Sequence, residues 1–237
     1  MKKWPVLRWL VSSIGKKTIV ALTGLCLAAF VTGHLVGNMT VFLGQDWLNF
    51  YAEHLQALGP ALWLIRFGML CIIGCHIYFT MLIWYENTQA RPQKYAVDAK
   101  MGTTVFSRTM RLTGIIIVGF LVFHIMHFTL RAHGIVPDYD TTVDLHGEQV
   151  HNVYGMVVAG FQNPLVSGAY ILWLLLIAFH LNHGVASFFQ TIGVTNKTMR
   201  PLFEWATRAY AWLLFLGYIS IPLYILTATK FFPDLLK

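Results

Sequence analysis

Five long stretches of the chain are almost entirely apolar, and short polar or charged segments separate them. A helix that crosses the hydrocarbon core of a bilayer needs about 20 mostly apolar residues. The stretches that reach this length are residues 18–42, 61–84, 112–130, 166–188 and 209–229. The pattern predicts an all-α fold, an integral membrane bundle of five transmembrane helices, in a single membrane domain that covers residues 1–237.

The segment before the first span is basic and superficially resembles the start of a signal peptide. The apolar run after Lys17 is too long for the apolar region of such a peptide, and it contains His34 and Asn38. We therefore expect residues 1–17 to remain in the protein as a cytoplasmic or interfacial segment. Residues 4–14 are expected to form a short helix at the membrane surface.

Composition and charge agree with this prediction. The chain is 57% hydrophobic and only 11% charged, with a mean hydropathy of +0.60, whereas about a quarter of the residues in a soluble domain are charged. The net charge of +7 could indicate a nucleic-acid partner, but most of the basic residues lie in three segments that five spans place on one side. These residues are Lys2, Lys3, Arg8, Lys16, Lys17, Arg91, Lys94, Lys100, Arg108, Arg111, Lys197, Arg200 and Arg208.

Lysine and arginine mark the cytoplasmic side of a membrane protein. The N-terminus is therefore expected inside and the C-terminus outside, with no nucleic-acid partner. The basic side is a candidate docking surface for a cytoplasmic protein. The opposite side carries acidic residues, and its longest segment, residues 132–164, is expected to fold over the outer mouth of the bundle.

Histidines inside the spans are the candidate functional residues. A histidine in hydrocarbon is costly and usually has a function or a partner. Two spans contain His-x-x-His, in the stretches VFHIMHFTL and AFHLNHGVA. The span histidines are His34, His76, His124, His127, His180 and His183.

The depths of these histidines fall into two levels. At 1.5 Å per helical residue, His34 lies about 24 Å and His124 about 18 Å from the inner end of its span. His76 and His180 each lie about 12 Å from the inner end. Spans one and three thus contribute an outer pair, and spans two and four contribute an inner pair.

Paired histidines from facing helices suit a metal cofactor in a bundle core, and haem fits best. Two neutral imidazoles can fill both axial positions of the iron, which favours electron transfer over ligand binding. Zinc would require three or four ligands at one level, often with a carboxylate, and the four histidine-bearing spans contain no Asp or Glu. Polar hydrogen bonds between helices are the remaining alternative. The spacing alone does not select one histidine of each His-x-x-His.

Four segments in sequence order are similar to a known family. They are TGLCLAAFVTGHLVGN in span one, FYAEHLQALGP before span two, RLTGIIIVGFLVFH in span three and AFHLNHGVASFFQTIGVT in span four. They resemble the single-chain, five-helix, di-haem cytochrome b membrane anchor of succinate:menaquinone oxidoreductases and quinol:fumarate reductases. The resemblance runs from residue 12 to the end of span five.

The resemblance selects between the doubled histidines. In this family the span-three ligand follows the glycine of a Thr-Gly pair by ten residues, which implies His124 after Gly114. The span-four ligand precedes the glycine that ends the helix by thirteen residues, which implies His180 before Gly193.

The same pattern implies His34 in span one, ten residues after Gly24, and the single His76 in span two. The implied cofactors are therefore two haems b, an outer one on His34 and His124 and an inner one on His76 and His180. A quinone is also implied, with menaquinone favoured over ubiquinone.

Further residues are assigned less direct roles. For His127 and His183 we expect structural or supporting roles, such as a hydrogen bond to a haem propionate or to another helix. Quinone binding is the alternative for His127, and an inner-site role is the alternative for His183. Arg66 and Arg111 are candidates for propionate contacts as well as ordinary snorkelling or topology charges. Asn38 could bond a helix or a quinone carbonyl.

The expected function follows from this set. Three cysteines in apolar runs, Cys26, Cys71 and Cys75, cannot supply a four-cysteine iron–sulfur cluster. The resemblance therefore implies that dicarboxylate chemistry occurs on a flavoprotein subunit and an iron–sulfur subunit on the cytoplasmic face of a bacterial inner membrane. This chain would carry no catalytic residue and would pass electrons through its haems to the quinone. The alternatives are a cytochrome b anchor of a hydrogenase or formate dehydrogenase, and a haem-free metal or proton transporter.

Overall fold

The computed structural model describes residues 5–90, 104–132, 134–135 and 137–236. The basic residues Lys2, Lys3, Arg91, Lys94 and Lys100 of the sequence analysis lie outside these ranges. The helices and strands in chain order are α1 (Pro5–Leu10), α2 (Ser13–Asn38), α3 (Gln45–Gln56), α4 (Pro60–Gln89), α5 (Val105–His124), β1 (Thr142–Leu145), β2 (Glu148–His151), α6 (Val153–Gln162), α7 (Pro164–Thr191) and α8 (Arg200–Phe231).

Five of these helices are long and apolar enough to cross a membrane: α2 with the 3₁₀ turn Met39–Leu43 that follows it, α4, α5 with the π-helical turn Ile125–Thr129 that follows it, α7 and α8. The predicted all-α five-helix membrane bundle is confirmed. Three shorter helices, α1, α3 and α6, accompany the spans, and a two-stranded hairpin is the only β-structure within the described residues. The helices extend beyond the apolar runs, so that α4 includes Glu86 and α8 begins nine residues before the predicted span.

Local capping residues set where the spans begin. The Ser12 side chain accepts a hydrogen bond from the Gly15 amide at the start of α2, and Thr104 caps α5 in the same way. Such side chains satisfy amides that have no partner in the first turn of a helix. The prolines at the starts of α4, α7 and α8 fit this position because the missing N–H is not needed there.

The bundle is built around α2 and α7, which contact each other. Helix α4 packs mainly on α2, α5 packs on α7, and α8 packs on α7. We call the end of the bundle near Ser13 the inner end and the end near Asn38 the outer end. Helix α4 runs from the outer end to the inner end, and none of its residues is fully buried.

The most buried part of the molecule lies at the outer end. There α3 and α6 pack against each other, and α6 also packs on α7 and α8. The buried Asn49 of α3 accepts a hydrogen bond from the Tyr154 amide at 2.9 Å and donates one to Asn152 at 3.3 Å. The residues of this apolar core are Val41, Leu48, Tyr154, Met156, Val157, Val158, Phe161, Tyr170, Ile221 and Ile225.

The outer segment, residues 132–164, thus contains structure that its turn-rich composition did not reveal. The β1–β2 hairpin turns at His146 and Gly147, which have φ of 57° and 91°. Two positive φ angles give the turn that matches the twist of the flanking strands. The hairpin leads directly into α6, which carries the outer core.

Candidate functional site

The outer histidine pair lies between α2 and α5. The ring centroids of His34 and His124 are 5.9 Å apart, and the ring planes are nearly perpendicular, at 85°. Within the described part of the chain, neither ring makes a hydrogen bond, and Nδ1 of His124 is buried without a partner. Both rings are packed among aromatic side chains, with Phe30 stacked on His34.

The inner histidine pair lies on α4 and α7, and each ring rests against a neighbouring helix. Nδ1 of His76 lies 3.0 Å from Oγ1 of Thr23 in α2. Nδ1 of His180 lies 3.2 Å from Oγ1 of Thr113 in α5.

Glycines make room for both inner rings. A Cβ on Gly24 would lie 3.1 Å from Cε1 of His76, and a Cβ on Gly114 would lie 3.4 Å from Cε1 of His180. His34 follows Gly24 by ten residues in α2, and this spacing is about 15 Å along the helix. His124 follows Gly114 by the same number in α5. The two pairs therefore stand at two levels of the bundle.

The second histidine of each His-x-x-His is engaged by a protein side chain. His127 is fully buried in the π-helical turn after α5, and its Nδ1 lies 3.0 Å from the Tyr170 hydroxyl. Nε2 of His183 lies 3.2 Å from Oγ of Ser187 on the same helix. Neither contact involves a second histidine, whereas the ring of His124 packs against that of His34.

His127 sits where a π-helical turn meets a tight helix contact. Such turns inside or after α-helices are frequent at functional sites. A Cβ on Gly160 of α6 would lie 3.0 Å from Nε2 of His127, so the glycine allows α6 to pack directly on this ring. Tyr170, which sequence reasoning missed, links this turn to the helix that carries His180.

The other predicted site residues have local contacts. The exposed Arg66 lies over the Trp63 ring at 5.0 Å, and Arg111 lies over the Trp84 ring at 5.4 Å. Asn38 donates a hydrogen bond to the His34 carbonyl at 2.6 Å, which closes the last turn of α2. These contacts leave the proposed propionate and quinone roles as predictions.

The inner end also carries an ion pair that the sequence did not indicate. Lys16 was read as a topology charge, but its side chain is buried and pairs with Glu86 of α4. The adjacent Lys17 is exposed. The pair joins the inner ends of α2 and α4, the two helices that bring Thr23 and His76 together.

A polar cluster occupies the outer segment. Nη1 of Arg131 lies 2.8 Å from Nε2 of His151, and Nδ1 of His151 lies 2.9 Å from the Thr141 carbonyl oxygen. The carbonyl can only accept, so Nδ1 carries the proton and Nε2 accepts from Arg131. Burial, with the nearby Arg131 charge, holds the pKa of His151 below its usual value, although the bond to Thr141 acts in the opposite direction.

The spacing of the outer pair is compatible with one iron atom between the two rings. Two metal–imidazole bonds of about 2 Å, together with the distance from each bound nitrogen to the centre of its own ring, place the ring centroids roughly 6 Å apart, which agrees with the outer pair. Edge-to-face ring packing also tolerates this distance, so the distance alone does not distinguish metal binding from ring packing. The ring nitrogens without a hydrogen bond are a further observation. Among the described residues, Nε2 of each of the four paired histidines makes no hydrogen bond and can bind a metal. These histidines are His34, His124, His76 and His180.

A site of zinc type is not found in the described part of the chain. No group of three or more His, Cys, Asp or Glu side chains lies close enough together there to hold a metal ion. Three or four such ligands are the usual requirement of zinc. Two pairs of histidines at separate levels instead suit a cofactor that supplies its own equatorial ligands.

Comparison with protein-family models, with curated proteins and with solved structures found no match to this chain.

Proposed function

We propose that this chain is the membrane anchor and electron-transfer subunit of a succinate:quinone oxidoreductase or quinol:fumarate reductase. It would hold two b haems and pass electrons between a cytoplasmic iron–sulfur subunit and membrane quinone, with menaquinone favoured. The observation that supports this most directly is the arrangement of four histidines as two pairs, at two levels, with free Nε2 atoms. The resemblance of the four quoted sequence segments supports the choice of complex.

In this proposal His34 and His124 would hold the outer haem, and His76 and His180 the inner haem. The haems supply reversible one-electron chemistry, and this chain would orient them and adjust their reduction potentials. A bundle of this kind keeps water away from the rings, and the aromatic side chains around His124 serve this purpose at the outer level. They are Phe120, Phe128 and Tyr170.

The flavoprotein and iron–sulfur subunits would dock at the inner end of the bundle, on the cytoplasmic face of a bacterial inner membrane. Exposed basic residues there support this placement, because acidic surfaces of a partner would be attracted to them. Those within the described residues are Arg8, Lys17, Arg108, Arg111, Lys197, Arg200 and Arg208. Of these, Arg200 is already paired with Glu204.

Haem content per polypeptide tests the proposal first. The purified complex should give two haems b per chain by pyridine haemochrome and by reduced-minus-oxidised spectra. A folded, intact sample without haem would overturn the electron-transfer function and favour a haem-free transporter, which zinc binding would then support.

The electron donor tests the choice of complex. Succinate added to membranes should reduce both haems, and fumarate should reoxidise them. If formate or hydrogen reduces the haems and succinate does not, the chain is the anchor of another dehydrogenase. Identification of the soluble subunits that co-purify gives the same answer independently.

A further inference from the structure

The inner histidine pair has a structural feature that repeats on two helices and is absent from the outer pair. The feature is a Thr-Gly dipeptide that contacts a histidine ring, Thr23-Gly24 in α2 and Thr113-Gly114 in α5. The Thr32-Gly33 dipeptide before His34 differs, because the Thr32 hydroxyl bonds Ala28 and Tyr210. In each case the threonine hydroxyl contacts Nδ1 of an inner histidine, and the glycine faces Cε1 of the same ring. The site therefore consists of two similar halves, α2 with α4 and α5 with α7.

The direction of the first of these hydrogen bonds is fixed by the threonine. A hydroxyl has one proton to donate. Oγ1 of Thr23 donates to the Ile19 carbonyl of its own helix, at 2.7 Å. Because that proton is used, Oγ1 can only accept from His76, and Nδ1 of His76 must carry the ring proton.

The hydrogen bond between Thr113 and His180 has the same direction. Oγ1 of Thr113 donates back to its own helix, 3.0 Å from the Met110 carbonyl and 3.1 Å from that of Thr109. It therefore accepts from Nδ1 of His180.

A neutral imidazole with its proton on Nδ1 has its lone pair on Nε2, which is the nitrogen left free in both rings.

We propose that Thr23 and Thr113 are positioning residues that hold His76 and His180 in the Nδ1–H form and raise the basicity of the ligands of the inner haem. A hydrogen bond from the second nitrogen of a ligating histidine fixes the ring and raises its basicity. A more basic ligand stabilises ferric iron, so each hydrogen bond lowers the reduction potential of the inner haem below the value that it would have without that bond. This inference rests on the proposed haem function.

The test uses Thr23→Val and Thr113→Val in the complete complex, because valine keeps the shape of threonine and removes the oxygen. Matched controls are Thr18→Val in α2 and Thr109→Val in α5. Both control hydroxyls bond their own helix, at 3.0 Å and 2.9 Å, and neither contacts a histidine. The readouts are the midpoint potentials of the two haems and the electron paramagnetic resonance signal of each low-spin iron.

Each valine variant should raise the potential of the inner haem and leave the outer haem and both controls unchanged. The net effect of one neutral hydrogen bond corresponds to roughly a fivefold change in the redox equilibrium, or about 40 mV for a one-electron couple. The inner haem is identified as the one that remains in a His34→Ala protein. Thr23→Ser and Thr113→Ser keep the oxygen and should restore the original potential.

Three results would overturn the inference. They are an unchanged inner potential, an equal shift in both haems, and a shift in the serine variants equal to that in the valine variants. If a valine variant loses the inner haem, retention by its serine counterpart supports the inference, and loss from both variants overturns it. A wild-type complex without haem would instead overturn the proposed function, so the two failures are distinguishable.

Discussion

The two histidine pairs offer the same imidazole donors but have different surroundings. The inner rings of His76 and His180 are held at Nδ1 by threonine hydroxyls and fit against glycines. The outer rings of His34 and His124 have no hydrogen bond within the described residues and are enclosed by aromatic rings. Identical side chains therefore stand in two different environments, because the contacts behind each ring differ.

The difference also extends to the helices that form each pair. The outer pair is backed by the core at the outer end, where α6 packs near His127. The inner pair lies where α4 packs mainly on α2 and no residue of α4 is fully buried. We expect the inner pair to depend on a few specific contacts, and the outer pair to depend on the packing of a larger core.

Loss of a ligand should have the largest effect. His34→Ala or His124→Ala should remove the outer haem and leave the inner one, and His76→Ala or His180→Ala should do the reverse. Each variant loses one of the two axial ligands of its iron, and haem content with difference spectra measures the result. Equal loss of both haems from a folded protein would contradict the pairing.

The doubled histidines provide internal controls for that experiment. His127→Ala and His183→Ala should each retain both haems, because His34 packs against His124 and not against His127, and because Nε2 of His183 contacts Ser187. A His183→Ala protein that lacks haem, together with a His180→Ala protein that keeps it, would reverse the assignment in α7.

Added volume at the inner glycines should have the next largest effect. Gly24→Ala should lower the occupancy or shift the spectrum of the inner haem, and Gly114→Ala should do so less, because its Cβ would lie 3.4 Å rather than 3.1 Å from the ring. Gly68→Ala in α4 and Gly168→Ala in α7 are controls with no atom within 4 Å of the added Cβ. A larger effect on the outer haem would contradict the inner location of this contact.

The outer core should respond to loss of a single hydroxyl. Tyr170→Phe leaves Nδ1 of the buried His127 without its partner, at an expected cost of about 1–2 kcal/mol. The thermal midpoint of the purified complex should fall by a few degrees, and the outer haem should be released first on heating. Tyr224→Phe is the control, since its hydroxyl makes only a 3.5 Å contact with the Leu235 carbonyl. Equal midpoints for both variants would argue against a stabilising His127–Tyr170 bond.

A fall in pH should have the smallest effect of these changes, and the effect should be confined to the β1–β2 hairpin. The pKa of His151 is lowered from 6.5 in the folded protein, by burial and by Arg131. The stability that neutral His151 contributes is therefore complete above pH 6.5 and is lost as the pH falls through the lowered folded pKa. Protonated Nε2 cannot accept from Arg131, so amides of β1 and β2 should exchange faster at pH 5 than at pH 7.5, after correction for intrinsic rates.

Replacement of His151 by glutamine is the control for the effect of pH on the hairpin. His151→Gln keeps a neutral acceptor and should remove the pH dependence of hairpin exchange, while amides near the inner pair should be unaffected in both proteins. Identical pH profiles for the wild type and the variant would show that another group titrates.

The spans could be predicted because length and hydropathy decide them directly. Each of the five apolar runs lies within a helix or its terminal turn, apart from the final residue of the third run. The composition of residues 132–164 indicated turns, but it did not reveal the hairpin or the apolar helix α6. The ion pair of Lys16 and Glu86 was missed because the two residues are 70 positions apart and each resembles an ordinary charge at a helix end.

The threonines at the inner pair belong to a sequence pattern that could have been recognised. Both precede a glycine, and in both helices a histidine follows that glycine by ten residues. Read as a repeat, this spacing relates α2 to α5. It does not say which histidine of another helix each threonine meets, because that depends on how α4 and α7 pack beside α2 and α5.

The sequence by itself determined a five-helix membrane protein with six histidines in four of its apolar runs. Spacing along the chain could not select between His124 and His127, or between His180 and His183, because residues three apart on a helix lie about 60° apart and both can face inward. The tertiary structure places His34 beside His124 and Tyr170 beside His127. It also placed a hydroxyl behind each inner ring and none behind the outer rings within the described residues, because hydrogen-bond partners on different helices are set by packing and not by spacing along one chain.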